Sequence, residues 1–184
     1  MKSLEQLIIH YAQTYPKEMA PHDMLKFLDE ETGYFLRNNY NGHFTGSAWI
    51  ISPDKSNILM THHKKLGKWL QLGGHADGES DLLKVALREA TEESGIQQFK
   101  VLSEEIFDLD IHEIPQNNSE LGHLHYDVRF LIEADPTGEA VIISDESHDV
   151  SWIQIADVAK LNAEVSIQRM INKTVIMKFE KTNN

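Results

Sequence analysis

Glu89, Glu92 and Glu93 stand at i, i+3 and i+4, so on a helix their carboxylates leave from one side. Like charges that close repel by about 0.2–0.5 kcal/mol per pair on a solvated helix. A sequence selected for stability alone would dilute them. A hard divalent cation changes the argument, because Mg²⁺ and Mn²⁺ take carboxylate and carbonyl oxygens. The glycine turn Gly73-Gly74-His75-Ala76-Asp77-Gly78-Glu79-Ser80 leads into this segment, and Gly95 follows it. A glutamate cluster is more often just a solvated helix face, so the spacing needs support from its surroundings.

The elements that must position these residues follow from periodicity. Residues 3–37 read as largely helical, with apolar stripes at Leu4, Leu7, Ile8, Tyr11 and at Met24, Leu25, Phe27, Leu28. Gly42 to Ser52 reads as a strand, Asn57 to His63 as its hairpin partner, and Trp69 to Leu72 as a brief strand entering the turn. Residues 81–94 read as the carboxylate helix, with Leu83, Ala86, Leu87 and Ala90 as its buried stripe. Ser80 or Asp77 is expected to cap its start and Gly95 to end it. Strands are expected near 98–113 and 122–134, with Pro115-Gln116-Asn117-Asn118-Ser119 as a polar loop between them. The second of these alternates His123, His125, Asp127 and Arg129 against Leu124, Tyr126, Val128 and Phe130. Val150 to Ile153 reads as a short strand and 163–181 as a final amphipathic helix. Strands interspersed with helices predict an α/β (α+β) fold, a mixed sheet flanked by helices.

The chain has 184 residues, of which 41% are hydrophobic and 25% charged, as in a globular protein. Its net charge of −12 argues against nucleic acid and anionic membranes as partners. An anionic small molecule remains compatible, provided a cation reverses the local sign. There is no cysteine, which excludes disulfides, zinc–thiolate sites and cysteine nucleophiles. The first residues, Met1-Lys2-Ser3-Leu4-Glu5-Gln6, lack the apolar run of a signal peptide, so a cytoplasmic location is expected.

From Gly74 onward the segment resembles the Nudix box, Gly-x5-Glu-x7-Arg-Glu-U-x-Glu-Glu-x-Gly-U, where U is aliphatic. Arg88, Glu89, Ala90, Glu92, Glu93, Gly95 and Ile96 fall in register, and seven positions at fixed spacing are a specific signal. Weaker resemblance extends over about residues 43–160. One position departs: Ser80 stands where the pattern has glutamate, with Glu79 one place early and Asp81 one place late. Leu72 stands where many relatives have proline.

The resemblance implies a Nudix fold, a mixed sheet between helices, over 39–184, with 1–38 as a helical extension packed on the domain. It implies hydrolysis of a diphosphate linkage in a nucleoside diphosphate derivative or nucleoside triphosphate, by water attacking phosphorus. Mg²⁺ (or Mn²⁺) would neutralise the diphosphate and acidify water. On the same grounds Glu92 and Glu93 are metal ligands, with the Gly73 carbonyl, and Glu89 is a further ligand or the general base. Arg88 would hold a box glutamate in orientation. Many relatives add a carboxylate six residues before a late tryptophan. Counting back from Trp152 gives Glu146, with Asp145 and Asp149 as competitors. The Ser80 departure bears on the number and geometry of the ions, and it motivates an alternative, a catalytically weak nucleotide-binding module.

Other residues read both ways. His123 and His125 are candidates for a pocket wall, but such residues are more often the polar face of a half-solvated strand. His62, His63 and His75 are candidates for phosphate or sugar contacts, with no zinc-ligand spacing evident. Trp69 and Tyr126 are candidates to stack on a base, with core packing the commoner role for Trp69. The isopentenyl diphosphate isomerases share the fold but use a cysteine, which removes them here. A homodimer is left open.

Overall fold

The computed structural model describes residues 2–116, 121–145 and 147–182, with side chains to residue 177. In chain order the elements are α1 (Leu4–Thr14), α2 (Ala20–Glu30), β1 (His43–Ile51), β2 (Asn57–His63), β3 (Lys68–Leu70), β4 (Leu72–His75), α3 (Leu82–Ser94), β5 (Lys100–Val101), β6 (Asp108–Ile114), β7 (His123–Glu133), β8 (Ser147–Gln154), α4 (Ile155–Leu161) and α5 (Val165–Thr182). The class is α+β with a mixed sheet, as expected. Strands pair in the order β3-β2-β1-β7-β5, with β4 on β1, β6 on β7 and β8 on β2. No helix among the described residues is long and apolar enough to cross a membrane.

The chain divides into two compact units, with β1, α3 and β7 each running from one into the other. The first holds residues 1–47, 73–87 and 103–130. Ser3 caps α1 through a capping box with Gln6, and Pro21 sits in the first turn of α2, where its missing N–H costs nothing. Ile8 and Tyr11 of α1 and Met24 and Phe27 of α2 are buried. Residues 31–42 form turns, so the helical reading to residue 37 overshoots. Gly33 has φ +66°, a left-handed turn conformation that helices do not continue through. In the same unit β6 and β7 pair antiparallel from Asp108↔Arg129 to Ile114↔His123.

The second unit holds residues 48–72, 88–102 and 131–182 of the described chain. Here β1 and β2 form the expected hairpin, with Ile50↔Leu59 and Ile51↔Ile58, and β2 also pairs with β8. Alternation cannot show β2 paired on both edges, yet Leu59 and Met60 are fully buried. Trp49 is fully buried and donates its indole N–H to Thr174 of α5 at 3.0 Å. Removing a side chain of that size from a core typically costs about 3–5 kcal/mol. The seven-residue α4 has no counterpart among the sequence expectations, because one buried residue, Val158, is too short a signal for periodicity.

Candidate active site

The turn entering α3 belongs to the first unit. At Gly73 of β4 a side chain is impossible, since a Cβ would lie 2.7 Å from the Ser47 Cα. Asp77 and Gly78 carry φ of +50° and +91°. The guanidinium of Arg37 grips the Asp77 carboxylate with two hydrogen bonds, one of 2.6 Å from Nε and one from Nη2. The Gly78 N–H donates to the Phe35 carbonyl at 2.9 Å. Neither Ser80 nor Asp77 caps α3. Asp81 does, accepting the Lys84 N–H at 3.2 Å, because it sits three residues before that donor. Glu79 accepts the Asp81 N–H at 3.1 Å and pairs with the Lys84 ammonium. The Lys84 hydrogen bond, then the Asp81 N–H, hold the Glu79 carboxyl below the usual range. A cleft of about 1180 Å³ opens in this unit, lined among others by Leu4, Ile9, Leu25, Tyr34 and Ser80.

Of the expected stripe of α3, Ala86 and Ala90 are buried, but Leu82 and Val85 complete it in place of Leu83 and Leu87, each one or two residues earlier. The backbone of β1 sets that rotation: a Cβ at Gly46 would lie 3.0 Å from the Val85 Cβ, so strand and helix touch there directly. The rotation matters for the carboxylates. At about 100° per residue, Glu89 and Glu93 continue the line of Leu82 and Ala86 rather than the solvated side. The side chain of Glu89 is 18% exposed and that of Glu92 62%. In the second unit Arg88 donates to Glu89 at 2.6 Å, and its Nε lies 3.9 Å from Glu92. Gly95 ends the helix with φ +75°, its N–H donating to the Thr91 carbonyl at 2.8 Å.

Of the late-loop carboxylates, Glu146 lies outside the described residues, as does much of the 115–119 loop. The Asp145 backbone carbonyl accepts from Lys64 at 2.7 Å, and the Asp149 carboxylate accepts from Ser151 at 2.8 Å. His63 Nδ1 accepts the Lys65 N–H at 3.2 Å, a turn-closing role. Trp69 is only half-buried, stacked on His62 at 5.1 Å. Tyr126 is core, stacked face to face on Phe27 at 4.0 Å, so that ring face is already covered.

The polar face of β7 is not solvated. His123, Asp127 and Arg129 are each at most 5% exposed. The Arg129 guanidinium reaches Asp127 at 2.7 Å, Asp108 at 3.2 Å and Asp110 at 3.3 Å. Thr45 and Ser47 donate to the same Asp127 oxygen at 2.9 and 2.7 Å. Burial opposes the charge on Arg129, yet the three aspartates hold its pKa above the ordinary value. Beside this network five imidazoles gather. His125 lies 5.1 Å from His123, 5.0 Å from His75, 4.8 Å from His43 and 5.5 Å from His112, ring centre to ring centre. Burial first, then the neighbouring imidazoles, push the His125 pKa down to about 2. No spacing in the sequence flags this group, since His43 comes from a different strand.

A family model for the NUDIX domain matches residues 42–173. The chain belongs to the Nudix family. That coarse class is one of hydrolases acting on phosphoric anhydride bonds. Among solved structures, the Nudix chain is similar to the E. coli dihydroneopterin triphosphate pyrophosphohydrolase, with a TM-score of 0.55 at 16% identity over 73% of this chain and 95% of that one. It is similar to a C. elegans Ap4A hydrolase at TM-score 0.53 and 16% identity, over 73% of this chain and 96% of that one. A NUDIX-family hydrolase from Clostridium perfringens gives 0.52 at 20%, over 76% of this chain and 99% of that one. At these identities the likeness carries the fold. A comparison with curated protein sequences finds no significant match.

Proposed function

We propose that this Nudix chain is a divalent-cation-dependent pyrophosphohydrolase that cleaves a diphosphate linkage in a nucleoside diphosphate derivative or nucleoside triphosphate, by water attack on phosphorus. The observation that supports this most is the place of Glu89 and Glu93 on α3. They continue the line of Leu82 and Ala86, and Glu89 is 18% exposed. A helix serving only the fold would put apolar side chains there. Partly desolvated carboxylates at i and i+4 are instead suited to a hard cation, which fits the donor set that the resemblance assigns to Mg²⁺ or Mn²⁺. Such an ion would neutralise the diphosphate oxygens and acidify water.

The chain's own residues then divide the work. Glu92 and Glu93 are proposed as cation ligands and Glu89 as ligand or general base. Arg88, 2.6 Å from Glu89, is proposed as the group that fixes its orientation. Glu79 is engaged by Lys84 and the Asp81 N–H, which supports a helix-start role for it rather than replacement of the glutamate absent at Ser80. Residues 1–38 are proposed as an extension of the family domain, supported by the Arg37–Asp77 pair and the family match beginning at residue 42. Two of the solved relatives are named for polyphosphate substrates, Ap4A within the proposed class and dihydroneopterin triphosphate beside it, both with phosphoric anhydride linkages.

A panel of nucleoside triphosphates and diphosphate derivatives, assayed for phosphate or pyrophosphate release with Mg²⁺ or Mn²⁺, tests this reading. Turnover of at least one compound, lost on chelation, is expected. A flat panel with tight nucleotide binding by calorimetry would establish the binding-module alternative instead.

A further inference from the structure

Three histidines of the first unit, His43 on β1 and His123 and His125 on β7, place one ring nitrogen each within 4.8 Å of one another. Two of the three residues are at most 5% exposed. The Nε2 atoms of His123 and His125 are 3.2 Å apart. The tautomer of His123 is set from behind, because its Nδ1 lies 2.8 Å from the Leu121 carbonyl and must carry the proton it donates there. Its Nε2 is therefore a lone pair facing His125. His43 has the same arrangement in looser form, with Nδ1 3.5 Å from the Asn39 carbonyl. A backbone carbonyl behind a ring is how proteins orient a metal-ligating imidazole.

We propose that His43, His123 and His125 form a three-imidazole site for a divalent transition-metal ion of the zinc type. The 3.2 Å separation suits it. Two Zn–N bonds of about 2.0–2.1 Å span that gap at an angle of roughly 100°, near tetrahedral. In the metal-free protein one proton bridges the two Nε2 atoms, and the ion takes its place as His125 shifts its proton to Nδ1. His43 closes the third position by a ring movement of up to about 1.5 Å, from the 4.8 Å outer limit toward tetrahedral spacing. The fourth position stays open for water or an anion. Imidazole nitrogen selects zinc, copper, nickel or cobalt over magnesium, so this ion differs in kind from one held by carboxylates. The ion would staple β1 to β7. The site does not depend on the proposed reaction.

The test uses the full chain, stripped with chelator and titrated with Zn²⁺ in excess Mg²⁺ by calorimetry. One equivalent is expected to bind with Kd below about 1 μM. X-ray absorption of the one-to-one zinc complex should show three imidazole nitrogens at about 2.0–2.1 Å. His125→Gln, shown folded by circular dichroism, should weaken uptake at least tenfold, while Glu93→Gln takes up zinc as the unaltered chain does. An all-oxygen shell, no uptake in excess Mg²⁺, or uptake lost in Glu93→Gln and kept in His125→Gln overturns the site. The absorption measurement needs no variant, so it decides even if His125→Gln misfolds.

Discussion

Asp127 accepts the Arg129 Nε–H at 2.7 Å from two places away on the same buried stretch of β7. Neighbours at i and i+2 share a strand face, so the sequence alone places the pair together. What makes it consequential is that both side chains are at most 3% exposed and that Asp108 and Asp110 converge on the same guanidinium. Replacing Arg129 by methionine keeps the volume and leaves the carboxylates uncompensated. Breaking such a pair from one side costs about 3–5 kcal/mol. Urea unfolding of Arg129→Met should show a loss of that order. A change under about 1 kcal/mol would mean that water reaches the network.

Stability should depend on pH through His125. In the unfolded chain this group titrates near 6.5, and in the fold it is held down to about 2. Between those values the unfolded state binds the extra proton, so the contribution is complete above about pH 6.5 and is lost as pH falls below it. The slope approaches about 1.4 kcal/mol per pH unit for one proton. Chelated His125→Gln protein should lose about one proton of that dependence between pH 6 and 4, measured by denaturant unfolding across that range. An identical slope in both proteins contradicts the assignment.

The proposed reaction predicts different penalties along α3. Glu93→Gln removes a ligand charge with little change of shape, and several kcal/mol of lost stabilisation means at least about 100-fold in turnover with folding retained. Wild-type turnover in that variant sinks the proposal.

On the proposed role, in which its hydrogen bond orients the Glu89 carboxylate, Arg88→Ala should act more mildly. A loss of about 10–100-fold is expected, chiefly in kcat, with KM for substrate little changed. A pure KM effect would instead make Arg88 a substrate-binding residue.

Asp81→Ala removes the cap of α3 and should cost about 1 kcal/mol, whereas Ser80→Ala should be near neutral. Thermal denaturation of the two variants compares them directly.

The seven box positions from Arg88 to Ile96 were legible because they lie within three helical turns, where spacing in sequence is spacing in space. The same helix shows the limit. Leu83 and Leu87 are as apolar as Leu82 and Val85, so periodicity admits either stripe, and only contact with β1 at Gly46 chooses. Alternation along β7 was equally legible, but a polar strand face looks the same whether water or a buried network covers it. His43 precedes His123 by 80 residues and joins it only because β1 pairs with β7. The cap fell to Asp81 because the hydrogen bond is decided by where the helix begins, a boundary that pattern reading locates only to a few residues.

The tether between Arg37 and Asp77 bears on modularity. Family likeness starts at residue 42, so an engineer trimming the chain to that border would discard both Arg37 and the Phe35 carbonyl. Those two groups hold Asp77 and Gly78 in left-handed backbone conformations, which a non-glycine residue such as Asp77 adopts only at a cost. The turn segment before the family match is thus tied into the box itself, and the portable unit is expected to be longer than the family's signature.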